Sequence, residues 1–136
     1  GASNAGHAGI KAFLDAHRRD IRGAFLINLE CVGAGDLAVY GREGLRNRRK
    51  ADRRVLRMVL DVARDLHIGM GTANCDWSET DAAVAMRARV RSVSIVGLDG
   101  DDLPALSQTP DDVPENVNPD QADDVVRIVT EVIRRA

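Results

Sequence analysis

Few side chains in this 136-residue chain are spaced for chemistry, and the most pointed is Glu30. It sits in FLINLECVGAGD, Phe25 to Asp36, where an apolar run fit for a buried strand ends in a carboxylate and then breaks at Gly33 and Gly35. A carboxylate at a strand end can ligate a metal, move a proton, or accept hydrogen bonds from a glycine turn or a helix N-terminus. Asp81 and Asp111, the latter followed by Asp112, are further candidates for binding, although the same residue types cap helices and form turns. His7, His17 and His67 are scattered, with neither H-x-x-x-H nor H-E-x-x-H spacing, so no local histidine motif marks a metal site. Cys31 and Cys75 lack C-x-x-C spacing and are expected to be buried free thiols. Trp77 is expected to pack rather than to stack a ligand. No G-x-S-x-G is present, and GAGD and GMGTAN lack the full glycine pattern of a phosphate or dinucleotide loop, which sets those chemistries aside.

The elements that must position these residues alternate. Ile10, Phe13, Leu14 and His17 recur at helical spacing and predict a helix over 8–19. The continuous apolar run 24–32 predicts a strand covered on both faces, and LAVY, 37–40, a second strand near an edge. Residues 47–66 carry a one-sided stripe of Val55, Val59, Val62, Ala63 and Leu66 and read as the longest helix. A weak extended segment follows, then a helix whose capping box is approximated by Ser78 and Asp81, and then a strand over 92–98. The loop 99–120 holds all four prolines and reads as irregular, closing with Asn118 as a cap, Pro119 at the first helical position and Gln121 as the capping-box partner of a C-terminal helix. The order predicts an α/β three-layer sandwich with a reduced, mainly parallel sheet and flanking helices. Ligands bind beyond the C-terminal ends of strands in open α/β sheets, so Glu30 and the loop after Leu98 are expected on one rim.

Composition bounds the partners. The length fits a single domain over 1–136, whose small polar start, residues 1–5, reads as partly tag-derived. An aromatic share of 3% leaves Val, Ile, Leu and Ala to fill the interior. The formal net charge of −2 gives no global attraction for nucleic acid or an anionic membrane, and neither is expected as a partner. The run RNRRKADRR, Arg46 to Arg54, nevertheless gathers six positive charges at a helix start, where they oppose the dipole. A solvated helix face accounts for it, as does an acidic partner surface such as another copy's 111–124 region. No apolar run approaches the roughly 20 residues of a membrane span and no signal peptide is recognisable, so the chain is expected to be soluble, with its compartment unassigned.

Taken in order, GHAGIKAF, INLECVGAGD, SETDAAVAMRARVRSVSIVG and SQTPDDVPENVNPD before a final helix resemble the C-terminal half of the zinc-dependent aminopeptidase and carboxypeptidase clan, most closely its M28 family. The resemblance implies a phosphorylase/hydrolase-like fold that hydrolyses terminal peptide bonds with two zinc ions bridged by a carboxylate and a water. Metal binding lowers the pKa of that water to about 7, and a nearby Glu carries its proton to the leaving amine. By the same resemblance Ser3 occupies the general-base position, Asn4 and Gln108 occupy ligand positions that are Glu and His in the family, and Glu30 occupies the strand-end ligand position. A further His and a bridging Asp would come from upstream of Gly1. Glu30 alone keeps its charge, so the resemblance implies a fragment or degenerate zinc exopeptidase domain, inactive on its own and binding no zinc. The alternative is a non-catalytic interaction or oligomerisation module on the same fold. Strand edges and apolar faces left open by a reduced sheet lead to the expectation of a homo-oligomer.

Overall fold

The strand expected near an edge is the centre of the sheet. The computed structural model describes residues 3–136, in which β2 (Asp36–Glu43) runs antiparallel to β5 (Arg91–Leu98) on one side and parallel to β4 (Gly71–Cys75) on the other. The two-residue β3 (Arg49–Lys50) pairs antiparallel with its C-terminal end, and β1 (Phe25–Glu30) lies parallel to β5 at the far edge. The sheet is therefore mixed, a correction to the mainly parallel expectation. Its cause is the connection from β1 to β2: residues 31–35 are too few for a parallel crossover, which takes a dozen residues or more, so the chain must turn back.

The continuous apolar run of β1 also misleads about burial. It suggested cover on both faces, but the strand is mostly half-buried and Leu29 is 47% exposed. LAVY, by contrast, is buried throughout, because β2 has neighbours on both sides and a helix layer over each face.

Two helices cover each face. On one, α2 (Arg53–Asp65) and α4 (Pro119–Arg135) bury Val55, Val59, Val62, Val125, Ile128 and Val132 against Val39, Val93 and Ile95. On the other, α1 (Ala8–Ala16) and α3 (Asp81–Arg87) meet through Leu14, Val84 and Ala85, with Leu26 of β1 beneath them. The alanines at 82, 83 and 85 are all buried, so α3 lies close to the sheet with little side-chain bulk between. Among the described residues no helix is long and apolar enough to cross a membrane.

Helix starts follow capping chemistry more closely than apolar periodicity. The helix expected over 47–66 begins at Arg53, because Asp52 accepts hydrogen bonds from the amides of Arg54 and Val55, both at 3.0 Å, and residues 49–50 are drawn into the sheet. Thr80, not Ser78, caps α3, accepting from the Ala83 amide at 3.0 Å. The expected helix over 8–19 ends at Ala16 and gives way to turns. Asn118 caps α4 as expected, but Gln121 leaves the capping box: its carbonyl accepts from the Gly33 amide at 2.8 Å and its amide donates to the Gly35 carbonyl at 2.6 Å. The loop between β1 and β2 is thus pinned to the start of α4.

That loop crosses β5 with no room to spare. A Cβ on Gly97 would lie 2.1 Å from the Ala34 carbonyl oxygen, and one on Gly35 would lie 2.1 Å from the Leu98 carbonyl oxygen at a φ of +67°. Both clashes are with backbone, which cannot swing aside. Gly97→Ala is expected to lower unfolding free energy by about 1–3 kcal/mol in urea denaturation, with an unchanged m-value. A variant as stable as the parent would show that the loop does not pack on β5 this closely.

Candidate functional site

The polar centre of the molecule is a carboxylate that sequence periodicity hides. In β2, Leu37 and Val39 pack with α2 and α4, so Ala38 and Tyr40 lie on the opposite face of the sheet, and strict alternation would send Arg42 the same way and Glu43 towards α2 and α4. Between Tyr40 and Arg42 the register with β4 slips, two residues of β2 advancing against one of β4, from Ala73 to Asn74. This bulge at Gly41 reverses the alternation: Arg42 is exposed, and Glu43 is fully buried on the α3 side. Glycine followed two residues later by a lone acid at the end of an apolar strand was the available signal.

The Glu43 carboxyl joins three elements. Its Oε2 accepts hydrogen bonds from the Thr80 hydroxyl at 2.5 Å and from the Ser94 hydroxyl at 2.6 Å. Thr80 at the same time caps α3, and Ser94 accepts from the Asn28 side-chain amide of β1 at 3.1 Å. The same amide reaches Glu30 Oε2 at 3.2 Å, so one chain of hydrogen bonds runs from Glu30 through Asn28, Ser94 and Glu43 to the start of α3. Glu43 Oε1 and the Tyr40 hydroxyl are buried without a partner among the described residues. No ion pair among them includes Glu43.

Burial without a cation shifts the titration of this cluster upward. Desolvation raises the Glu43 pKa above the usual carboxylate value, more strongly than the Ser94 and Thr80 hydroxyls lower it, and the nearby Glu30 charge adds to the rise. Burial likewise pushes the Tyr40 phenol and the Cys75 thiol up, with Cys75 and Glu43 adding to the rise at Tyr40. The cluster is sealed from solvent, and it clamps the fold rather than offering an exposed nucleophile.

The residues predicted from sequence lie apart from one another. Glu30 ends β1 beside Val96 of β5, so it shares the C-terminal rim with the loop after Leu98 as expected. Ser3 and Asn4 form an exposed 3-10 turn ahead of α1. Asp81, the first residue of α3, bonds His7 Nδ1 at 2.6 Å and so ties the starts of α1 and α3 together. Asp111 is exposed, and its carbonyl accepts from the Asn116 side chain at 2.9 Å within the long loop. Gln108 is exposed on the same loop at a φ of +56°. Among the described residues no hydrogen bond joins Glu30 to Ser3, Asn4, Asp81, Asp111 or Gln108; its one side-chain partner is Asn28. Cys75 is buried, but Cys31 is exposed, a correction that follows from its place on the first turn residue after an edge strand. Trp77 is 44% exposed rather than packed away.

Zinc needs several anionic or imidazole donors converging on one point. Among the described residues no group of three or more His, Cys, Asp or Glu side chains is placed to hold a metal ion. Around Glu30 the neighbouring side-chain group is the amide of Asn28, which presents a donor rather than a lone pair. The donor set does not fit a two-zinc site.

The raised Glu43 pKa makes a signed prediction. Its contribution is fully present below the unfolded carboxyl pKa of about 4.3 and is lost as pH rises through the folded value, at up to about 1.4 kcal/mol per pH unit between the two. Urea unfolding across that range is expected to show the parent losing stability with rising pH relative to Glu43→Gln, which has no proton to lose. A pH-independent difference between the two would mean that Glu43 is ionised in the fold.

No family model matches the chain, and no curated protein does. Among solved structures it is similar to the 5'-methylthioadenosine/S-adenosyl homocysteine nucleosidase of Campylobacter jejuni, with a TM-score of 0.63 and 14% identity over 89% of this chain and 74% of that one. It is also similar to the LapA aminopeptidase of Legionella pneumophila, with a TM-score of 0.67 and 8% identity over 91% of this chain and 34% of that one. The third is BSAP, a zinc aminopeptidase from Bacillus subtilis, with a TM-score of 0.67 and 14% identity over 93% of this chain and 32% of that one. The chain spans about a third of the length of these aminopeptidases. At such identities the likeness is one of fold: a helix-flanked α/β sheet of the kind found in aminopeptidases and in a nucleosidase.

Proposed function

We propose that the chain is a degenerate or partial zinc exopeptidase domain of the M28 type, without peptidase activity on its own. The observation that carries the reading is Glu30, a half-buried carboxylate at the C-terminal end of β1, on the rim where open α/β sheets bind ligands. Its position and the aminopeptidase-like fold agree with the sequence resemblance. The polar residues at the other family positions, Ser3, Asn4 and Gln108, are poor zinc ligands, and a neutral hydroxyl at Ser3 cannot serve as a carboxylate base. In an intact relative the reaction would be removal of terminal residues from peptides.

The open edge of β1 supports a second reading as a non-catalytic interaction module. Each β-strand directs backbone groups to both sides, and β1 has a partner only in β5 among the described residues. The exposed Leu29 side chain lies on the same strand.

Zinc titration by calorimetry, paired with cleavage of an aminoacyl p-nitroanilide in added zinc, tests the first reading. The expected result is no stoichiometric uptake and no hydrolysis above the protein-free blank. Stoichiometric binding at about micromolar affinity, worth roughly 8 kcal/mol, that disappears in Glu30→Ala would overturn it.

A further inference from the structure

We infer that the two ends of the sheet are complementary docking surfaces and that copies of this chain associate head to tail, the arginine-rich end of one on the acidic end of the next. The charges segregate along the strands. β5 begins at Arg91 beside the start of β1, the end of β2 and the start of α2, and this end carries Arg22, Arg49, Lys50, Arg53, Arg54 and Arg57, none of them in an ion pair among the described residues. The exposed loop beyond the other end of β5 carries Asp99, Asp101, Asp102, Asp111, Asp112 and Glu115, also unpaired.

Distance keeps the two sets from neutralising one another within a copy. The eight residues of β5 separate them by roughly 25 Å at about 3.3 Å per residue, well beyond the Debye length of about 8 Å at physiological salt. The net charge of −2 thus conceals two fields of opposite sign, the basic one only partly offset by Asp15, Asp52 and Asp61. The basic end is also contoured. A hollow of about 490 Å³ is lined by Arg22, Arg89 and Arg91 together with the Arg18–Asp15 ion pair, and a broader one of about 640 Å³ by Arg53, Arg54 and Arg57 of α2 with Asp61 and with Arg135, which pairs with Asp65 and Glu131. A smaller hollow containing Arg54 and Arg91 adjoins both. Guanidinium groups in such hollows suit carboxylate pairs on a protruding loop, which is what residues 99–115 present.

An acidic protein surface fits better than nucleic acid. The exposed rings Phe13 and Trp77 line none of these hollows, and the half-buried Phe25 is the one ring beside the arginines among the described residues. No row of stacking rings therefore accompanies them, and the acidic end would repel a long polyanion. Pairing one end with the other is a heterologous contact, which propagates into open chains or closes into rings.

Charge reversal tests this with the full chain. Sedimentation velocity is expected to show the weight-average mass rising about twofold or more at about 0.01 M salt relative to about 1 M, where the Debye length shrinks from about 30 Å to about 3 Å. Arg54→Glu with Arg57→Glu, and separately Asp101→Lys with Asp112→Lys, should each remain monomeric at low salt with the parent's circular dichroism. An equal mixture of the two should associate again, because the arginine variant keeps its acidic end and the aspartate variant its basic end. A monomeric parent at low salt, assembly that survives either double variant, or a mixture that fails to pair would overturn the proposal. A parent that stays monomeric but binds a single-stranded oligonucleotide, with loss in the arginine variant, would assign the basic end to phosphate instead.

Discussion

The buried Glu43 carboxyl is the interaction on which the arrangement of this fold depends. A carboxyl taken out of water with no cation beside it is costly unless hydroxyls or amides replace its hydration. Here two hydroxyls from different elements converge on one oxygen, so β2, β5 and the start of α3 are fixed relative to each other by a single group. The raised pKa follows from that balance, in which burial outweighs the hydroxyls. Because Thr80 also caps α3, the same contact sets where that helix begins, and the buried alanines behind it fix how closely it sits on the sheet. Asn28 extends the chain to β1, so the edge strand bearing Glu30 is tied to the clamp through polar as well as backbone bonds.

What could be read from the sequence followed from local chemistry. The apolar stripes of α2 and α4 and the Asn118–Pro119 helix start are properties of neighbouring residues, and they appear where periodicity and capping put them. What could not be read is set by partners distant in sequence. Whether LAVY is an edge or a centre depends on which strands flank it, and β1, equally apolar, went to the edge instead. The same holds for Gln121, whose position suits a capping box but whose amide finds the loop at Gly33 and Gly35. Glu43 escaped notice for a subtler reason: one extra residue at Gly41 reversed the alternation on which its inward direction depends. Glu30 is legible as a strand-end carboxylate on the shared rim, whereas nothing local marks Asn28, two residues earlier on the same face, as its partner.

The two carboxylates of this network illustrate how position divides roles between like groups. Glu43, sealed beneath α3, is committed to structure, since no substrate can reach an atom without accessible surface. Glu30, half-buried at the end of the same hydrogen-bond chain, faces the rim where sheets of this type place ligands. The Asn28 amide donates to one oxygen of that carboxylate at 3.2 Å and so holds it at the rim.

Charge segregation follows from the same architecture. The mixed sheet brings the start of β5, the end of β2 and the start of α2 to one end, and the sequence loads all three junctions with arginine and lysine. Six cations around the first turn of α2 oppose its dipole and one another, a cost of a few tenths of a kcal/mol for each unfavourable placement at an exposed site. Asp52 offsets part of it as the cap and Asp76 pairs with Arg48 at 3.4 Å, but two carboxylates cannot balance the set. A fold that gathers like charges at a helix start and leaves acids unpaired at the opposite rim stores repulsion at both ends, and contact between unlike ends relieves both at once.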